Sequence, residues 1–196
     1  MNADAIVVGL GNPGPRYAFT RHNIGFIALD VLAQDFGASF TASRKWNALE
    51  CLITWKDKKV LLLKPQTFMN LSGDSLRAVY AQHNHLRDKP IIVLHDEVDI
   101  PMGRLRVKMG GGDAGHNGLK SLRSVLGHGD FYRVRMGVGR PVQGSHIELA
   151  DYVLQPFSKE EQPSLMLLIE RSLKSTELLL EDQLQKAQEF SAKDPA

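Results

Sequence analysis

His22 follows Asn12 by ten residues in the stretch IVVGLGNPGPRYAFTRHNIG, residues 6–25, where a short apolar run meets a turn built from glycine and proline. Such a run reads as a strand that delivers polar groups to one edge of a sheet. Thr20 reads as the N-cap of the helix that follows, which places His22 in its first turn. The positive end of a helix dipole opposes protonation there, so the imidazole is expected to stay neutral and to accept a proton. That is the position of a general base rather than a general acid.

A second polar group, His95, Asp96, Glu97 and Asp99, closes the continuous apolar run 91–94. Ligands of open α/β sheets bind beyond the carboxyl ends of strands, so Asp96 and Asn12 are expected on one rim. Phe68, Met69 and Asn70 precede Ser72, which reads as the N-cap of a helix reaching Gln82, and so occupy a strand-to-helix loop. Asn117 ends the flexible run GGGDAGHN and opens another helix, which Gly127 closes. A lone loop asparagine is usually a turn former, and that account suits any one of Asn12, Asn70 and Asn117. Three of them at presented positions are harder to dismiss.

Positive charge is concentrated rather than spread. Net charge is +1 over residues 1–100, +6 over 101–140 and −5 over 141–196. Within the basic segment Arg104, Arg106 and Lys108 alternate with Leu105 and Val107, and Arg133 and Arg135 alternate with Val134 and Met136. Each strand would therefore carry its cations on one face, and pairing of the two would join them into a patch fit for phosphates, to which Lys120 and Arg123 add. A merely solvated face is the alternative.

The remaining elements are those that must position these groups. Apolar residues from Ile24 to Phe36 follow a helical period closed by Gly37. Residues 46–55 and 59–63 form a hairpin about residues 56–59. Ser158 and Glu161 make a capping box ahead of a helix at Pro163, and residues 137–146 form a loop. The chain is expected to be one α/β domain over residues 1–183, a twisted mixed sheet flanked by helices, with a polar C-terminal tail at 184–196. A lone cysteine, Cys51, excludes an internal disulfide. With no signal-peptide pattern and no apolar run near 18 residues, the expectation is a soluble, cytoplasmic protein without membrane contact, and a monomer.

Three other chemistries find less support in the sequence. GLGNPG matches the dinucleotide pattern GxGxxG, but Pro13 and Pro15 interrupt the place where the phosphate-binding helix should begin, and Asp30 falls inside a helix instead of at a strand end. His22, His95, Asp96, Glu97, Asp99 and His116 are ligand types for zinc or manganese, yet no spacing such as HExxH supports a site, and a loop of solvated carboxylates accounts for the cluster. A serine or cysteine nucleophile lacks any local cue.

Several separated motifs in order, GLGNPG with Tyr17, TRHN at 20–23, KPQTFMN at 64–70, His95-Asp96-Glu97 and GGGDAGHNGLKS, resemble those of bacterial-type peptidyl-tRNA hydrolases over nearly the whole chain. The resemblance implies cleavage, without metal or cofactor, of the ester between a peptide and the 3′-terminal ribose of tRNA. It implies that His22 activates water, that Asp96 orients His22, and that Asn12 tells a blocked aminoacyl group from a free one. Tyr17, Phe68, Asn70 and Asn117 correspond to contacts near the tRNA end, and Met69 lines the site. Lys108 and Arg135 correspond to a clamp for the 5′ phosphate, supported by Arg106 and Arg133.

Overall fold

The computed structural model describes residues 1–194. Seven strands form one mixed sheet in the order β2-β3-β4-β1-β5-β7-β6. They are β1 (Ala5–Gly9), β2 (Thr41–Ser43), β3 (Ala48–Trp55), β4 (Lys58–Pro65), β5 (Ile91–Glu97), β6 (Leu105–Met109) and β7 (Tyr132–Gly137). The four central strands run parallel and the two edges antiparallel. Strand β1 is buried on both faces, which its unbroken apolar run requires. Ala5 and Val7 face one core with α1 (Ile24–Asp35) and α5 (Gln162–Leu180), while Ile6 and Val8 face the other with α2 (Ser72–Gln82) and α3 (Asn117–Leu126). A short α4 (Leu149–Val153) and α6 (Leu184–Ala192) complete the helices. Among the described residues no helix is long and apolar enough to cross a membrane.

Local signals explain the connections. Lys56 and Asp57 both take positive φ, the geometry of a two-residue turn whose twist matches the β3–β4 hairpin. Helix α1 ends with Gly37 at φ 60°, its N–H donating to Gln34 and that of Ala38 to Ala33, so the orphan carbonyls are satisfied. At its other end α1 lies directly on the strand ends: a Cβ on Gly25 would overlap the Leu94 carbonyl and lie 2.5 Å from the Leu10 nitrogen. Only glycine allows that approach, and it brings the residues before Gly25 to the carboxyl rim of β1 and β5.

Three expectations are corrected. Thr20 does not cap α1; its hydroxyl donates to Tyr17 O at 2.8 Å, and Arg21–Asn23 form a separate 3-10 turn before α1 begins at Ile24. Ser72 is the first residue of α2 instead of its cap, its hydroxyl donating back to Met69 O at 2.8 Å. The polar tail expected over 184–196 is a packed helix as far as Ala192. Residue Ala187 is fully buried, and the Val107 N–H of edge strand β6 donates to Ser191 Oγ at 3.1 Å. An edge strand needs such cover, and a helix burying small residues supplies it without an apolar stripe. Residues 195 and 196 of that segment lie outside the described residues.

Candidate active site

A cleft of about 510 Å³ opens at the carboxyl ends of β1 and β5. Buried or half-buried Asn12, His22, Asp96 and His116 line it together with Met69, the exposed Phe68, Asn70 and Asn117, and the apolar Leu149, Val153 and Leu154 of the α4 region.

Asp96 is the centre of the polar group. Its side chain is 2% exposed and accepts from two imidazoles. His22 Nδ1 lies 3.0 and 2.9 Å from Oδ1 and Oδ2, and His116 Nε2 lies 2.8 Å from Oδ1. Burial pushes the Asp96 pKa up, but the charges and hydrogen bonds of His22 and His116 outweigh it and hold the carboxyl well below its usual range. An ionised Asp96 must receive protons from both rings. Nδ1 of His22 therefore carries its hydrogen, and Nε2 is left as the basic atom.

His116 is fixed from its other side. It caps α3, its Nδ1 accepting from the backbone N–H groups of Gly118 at 3.1 Å and Leu119 at 3.4 Å, so its hydrogen sits on Nε2 toward Asp96. The ligand atoms of His22, Asp96 and His116 lie within 4.8 Å of one another, a spacing a metal could bridge. A divalent ion would have to displace both ring protons that face Asp96 and turn His116 away from the backbone it caps. As arranged, the trio is a hydrogen-bonded relay.

At His22 two opposing influences meet, and the one from Asp96 sets the direction of the shift. Burial lowers its pKa most, yet the charge and hydrogen bond of Asp96 together raise it above 6.5. Asn12 is held equally firmly: its Oδ1 accepts from the Met69 N–H at 2.8 Å, which leaves its amide hydrogens to serve the cleft. Phe68, Asn70 and Asn117 are exposed along the rim. Tyr17 does not line the cleft; it sits on a 3-10 turn with the Arg16 guanidinium 4.5 Å over its ring.

The four expected cations share one face of the sheet, since β6 and β7 pair with Arg106 opposite Arg135 and Lys108 opposite Arg133. Their environments differ. Arg133 is buried and donates to the carbonyls of Gly111 and Gly112, roofing the patch with the glycine loop. Arg135 pairs with Glu97 at 2.9 Å, and Arg106 turns toward the Ser191 carbonyl of α6 at 3.3 Å. Burial and the neighbouring Arg135 and Arg133 push the Lys108 pKa down, the mark of a positive field with too little counter-charge.

Sequence alone marks His116 only as a metal-ligand type. It lies 20 residues from Asp96 along the chain, and its one signal was its place immediately before a helix.

The peptidyl-tRNA hydrolase family model matches residues 6–195. A peptidyl-tRNA hydrolase of Geotalea daltonii is 47% identical, the match covering 92% of each chain, and one of Mycobacterium sp. (strain KMS) is 47% identical over 93% of this chain and 94% of its own. The crystal structure of peptidyl-tRNA hydrolase from Acinetobacter baumannii superposes with a TM-score of 0.88 at 33% identity over the whole of both chains.

Proposed function

The chain belongs to the peptidyl-tRNA hydrolase family, and on that premise we propose how its residues hydrolyse the ester between peptide and tRNA. One observation carries the reading: the bare Nε2 of His22 is fixed at a cleft by an ionised Asp96. Nε2 takes a proton from water as its oxygen adds to the ester carbonyl carbon. Stabilisation of the resulting oxyanion is assigned to amide donors on the rim, Asn70 and Asn117, both of which line the cleft. Collapse breaks the bond to the 3′-ribose oxygen, which takes the proton back from His22. Asp96 stabilises the imidazolium between the two transfers, and His116 holds Asp96.

Asn12 reads the blocked amino group. Its free amide hydrogens can donate to the carbonyl of an N-acyl group, whereas a free ammonium offers only donors and finds no acceptor there. Phe68 and Tyr17 provide surfaces for the tRNA end, Lys108 and Arg135 hold its 5′ phosphate, and Arg133 keeps the glycine loop above them. The working form is a cytoplasmic monomer.

Incubation with N-acetyl-aminoacyl-tRNA and with the unblocked form, each with and without EDTA, tests this reading. Release from the blocked substrate alone, undiminished by chelator, is expected. Equal release from both would remove the role given to Asn12, and loss of activity with EDTA would replace the relay by a metal centre.

A further inference from the structure

Asn23 belongs to the TRHN stretch and directly follows His22. Beyond Leu10, whose N–H donates to Leu94 O at 3.0 Å, the chain leaves the sheet. Asn12 follows there, and its backbone is held by one side chain. Asn23 Oδ1 accepts from the Asn12 N–H at 2.8 Å, and Asn23 Nδ2 donates to the Asn12 carbonyl at 2.9 Å. Asn23 is 2% exposed. An amide carries donor and acceptor side by side as a peptide group does, so Asn23 stands in for a missing strand neighbour. Aspartate would face the Asn12 carbonyl with a second acceptor, and alanine would leave both groups unpaired.

We propose that Asn23 is a positioning residue that fixes Asn12 and thereby sets the preference for N-blocked substrates. The inference rests on the reading of Asn12 given above. Asn12 is gripped twice: its backbone by Asn23, its side chain by the Met69 N–H. Asn23 also follows His22 directly in one 3-10 turn, its N–H donating to Thr20 O at 3.0 Å. That turn sets the distance between the atom that activates water and the amide that reads the substrate. Loss of Asn23 should therefore fall on the substrate that Asn12 reads and spare the one that it does not.

The test is kcat/KM for N-acetyl-aminoacyl-tRNA and for the same aminoacyl-tRNA, with the unaltered protein, Asn12→Ala, Asn23→Ala, Asn23→Asp and the Asn12→Ala/Asn23→Ala double variant. The selectivity ratio should fall by about tenfold or more in Asn23→Ala, through the blocked substrate, and the double variant should be no worse than Asn12→Ala alone. Asn23→Asp keeps the volume and one hydrogen bond, should lose the ratio as well, and decides the matter where the alanine variant does not fold. An unchanged ratio in the folded Asn23 variants beside a lost ratio in Asn12→Ala overturns the inference and leaves Asn12 as the reader. Equal losses on both substrates also overturn it, since they mark a general structural role. An unchanged ratio in Asn12→Ala overturns the inference together with the reading on which it rests.

Discussion

Nδ1 of His22 lies within 3.0 Å of both carboxylate oxygens of Asp96, so the proton on that ring nitrogen is directed whichever oxygen receives it. The bond joins the 3-10 turn before α1 to the last turn of pleat in β5, and the close approach at Gly25 makes it possible. On the proposed mechanism Asp96 does two things at once: it selects the tautomer with a bare Nε2, and it strengthens that atom as a base by lifting the pKa against the effect of burial.

Asp96→Asn should therefore change the pH profile as well as the rate. In the unaltered protein His22 must lose its proton to act, and its pKa is raised, so kcat should fall on acidification with a midpoint above 6.5. Without the carboxylate, burial alone remains and the acidic limb should move below 6.5 while kcat drops by about 10²- to 10⁴-fold. Measuring kcat from pH 5 to 9 decides it; an acidic limb that stays in place would take Asp96 out of the base's environment.

Stability should fall on the acid side for a different reason. His95 is fully enclosed behind the site, and burial, followed by the neighbouring His116, pushes its pKa down to about 3. The unfolded chain takes up that proton near 6.5 while the folded one refuses it until about pH 3, so stability is lost as pH falls through this window. One such group contributes at most about 1.4 kcal/mol per pH unit. His22 acts oppositely and higher: its raised pKa adds stability fully present below 6.5 and lost as pH rises through its folded value. Urea unfolding of the unaltered protein and of His95→Gln between pH 7 and pH 4 should give a visibly flatter dependence in the variant. Parallel curves would assign the acid loss to other groups.

Much of this arrangement was legible in the sequence. The unbroken run of β1 and the alternation of Arg106, Lys108, Arg133 and Arg135 carry their own geometry, and β6 and β7 do pair so that the four cations share a face. Alternation cannot tell a solvated face from a roofed one, so the burial of Arg133 under Gly111 and Gly112 was not readable. His116 and Asn23 escaped for a related reason: their partners, Asp96 and Asn12, are set beside them only by the packing of α3 and α1 on the strand ends. Helix α6 escaped because it buries Ala187 and Ser191, residues too small to give a hydrophobic period.

Replacing Lys108 and Arg135 together by alanine should raise KM for the tRNA substrate and leave kcat nearly unchanged, because phosphate contacts position the substrate without touching the ester. The dependence of KM on salt should flatten by a slope of about one to two, the count of phosphate charges released. Arg135 also pairs with Glu97, so Lys108→Ala alone is the cleaner variant for the slope. Unchanged salt dependence would return both residues to a solvated face.

His22→Ala tests the central claim most directly, read by single-turnover release of N-acetyl-aminoacyl-tRNA together with the affinity for that tRNA. With His22 as the base, release should fall by about 10²- to 10⁴-fold or more while affinity stays within about twofold, since the lost interaction exists only in the transition state. A variant that binds tRNA normally and still releases peptide at a near-normal rate would contradict the account, and the activation of water would have to be sought elsewhere in the cleft.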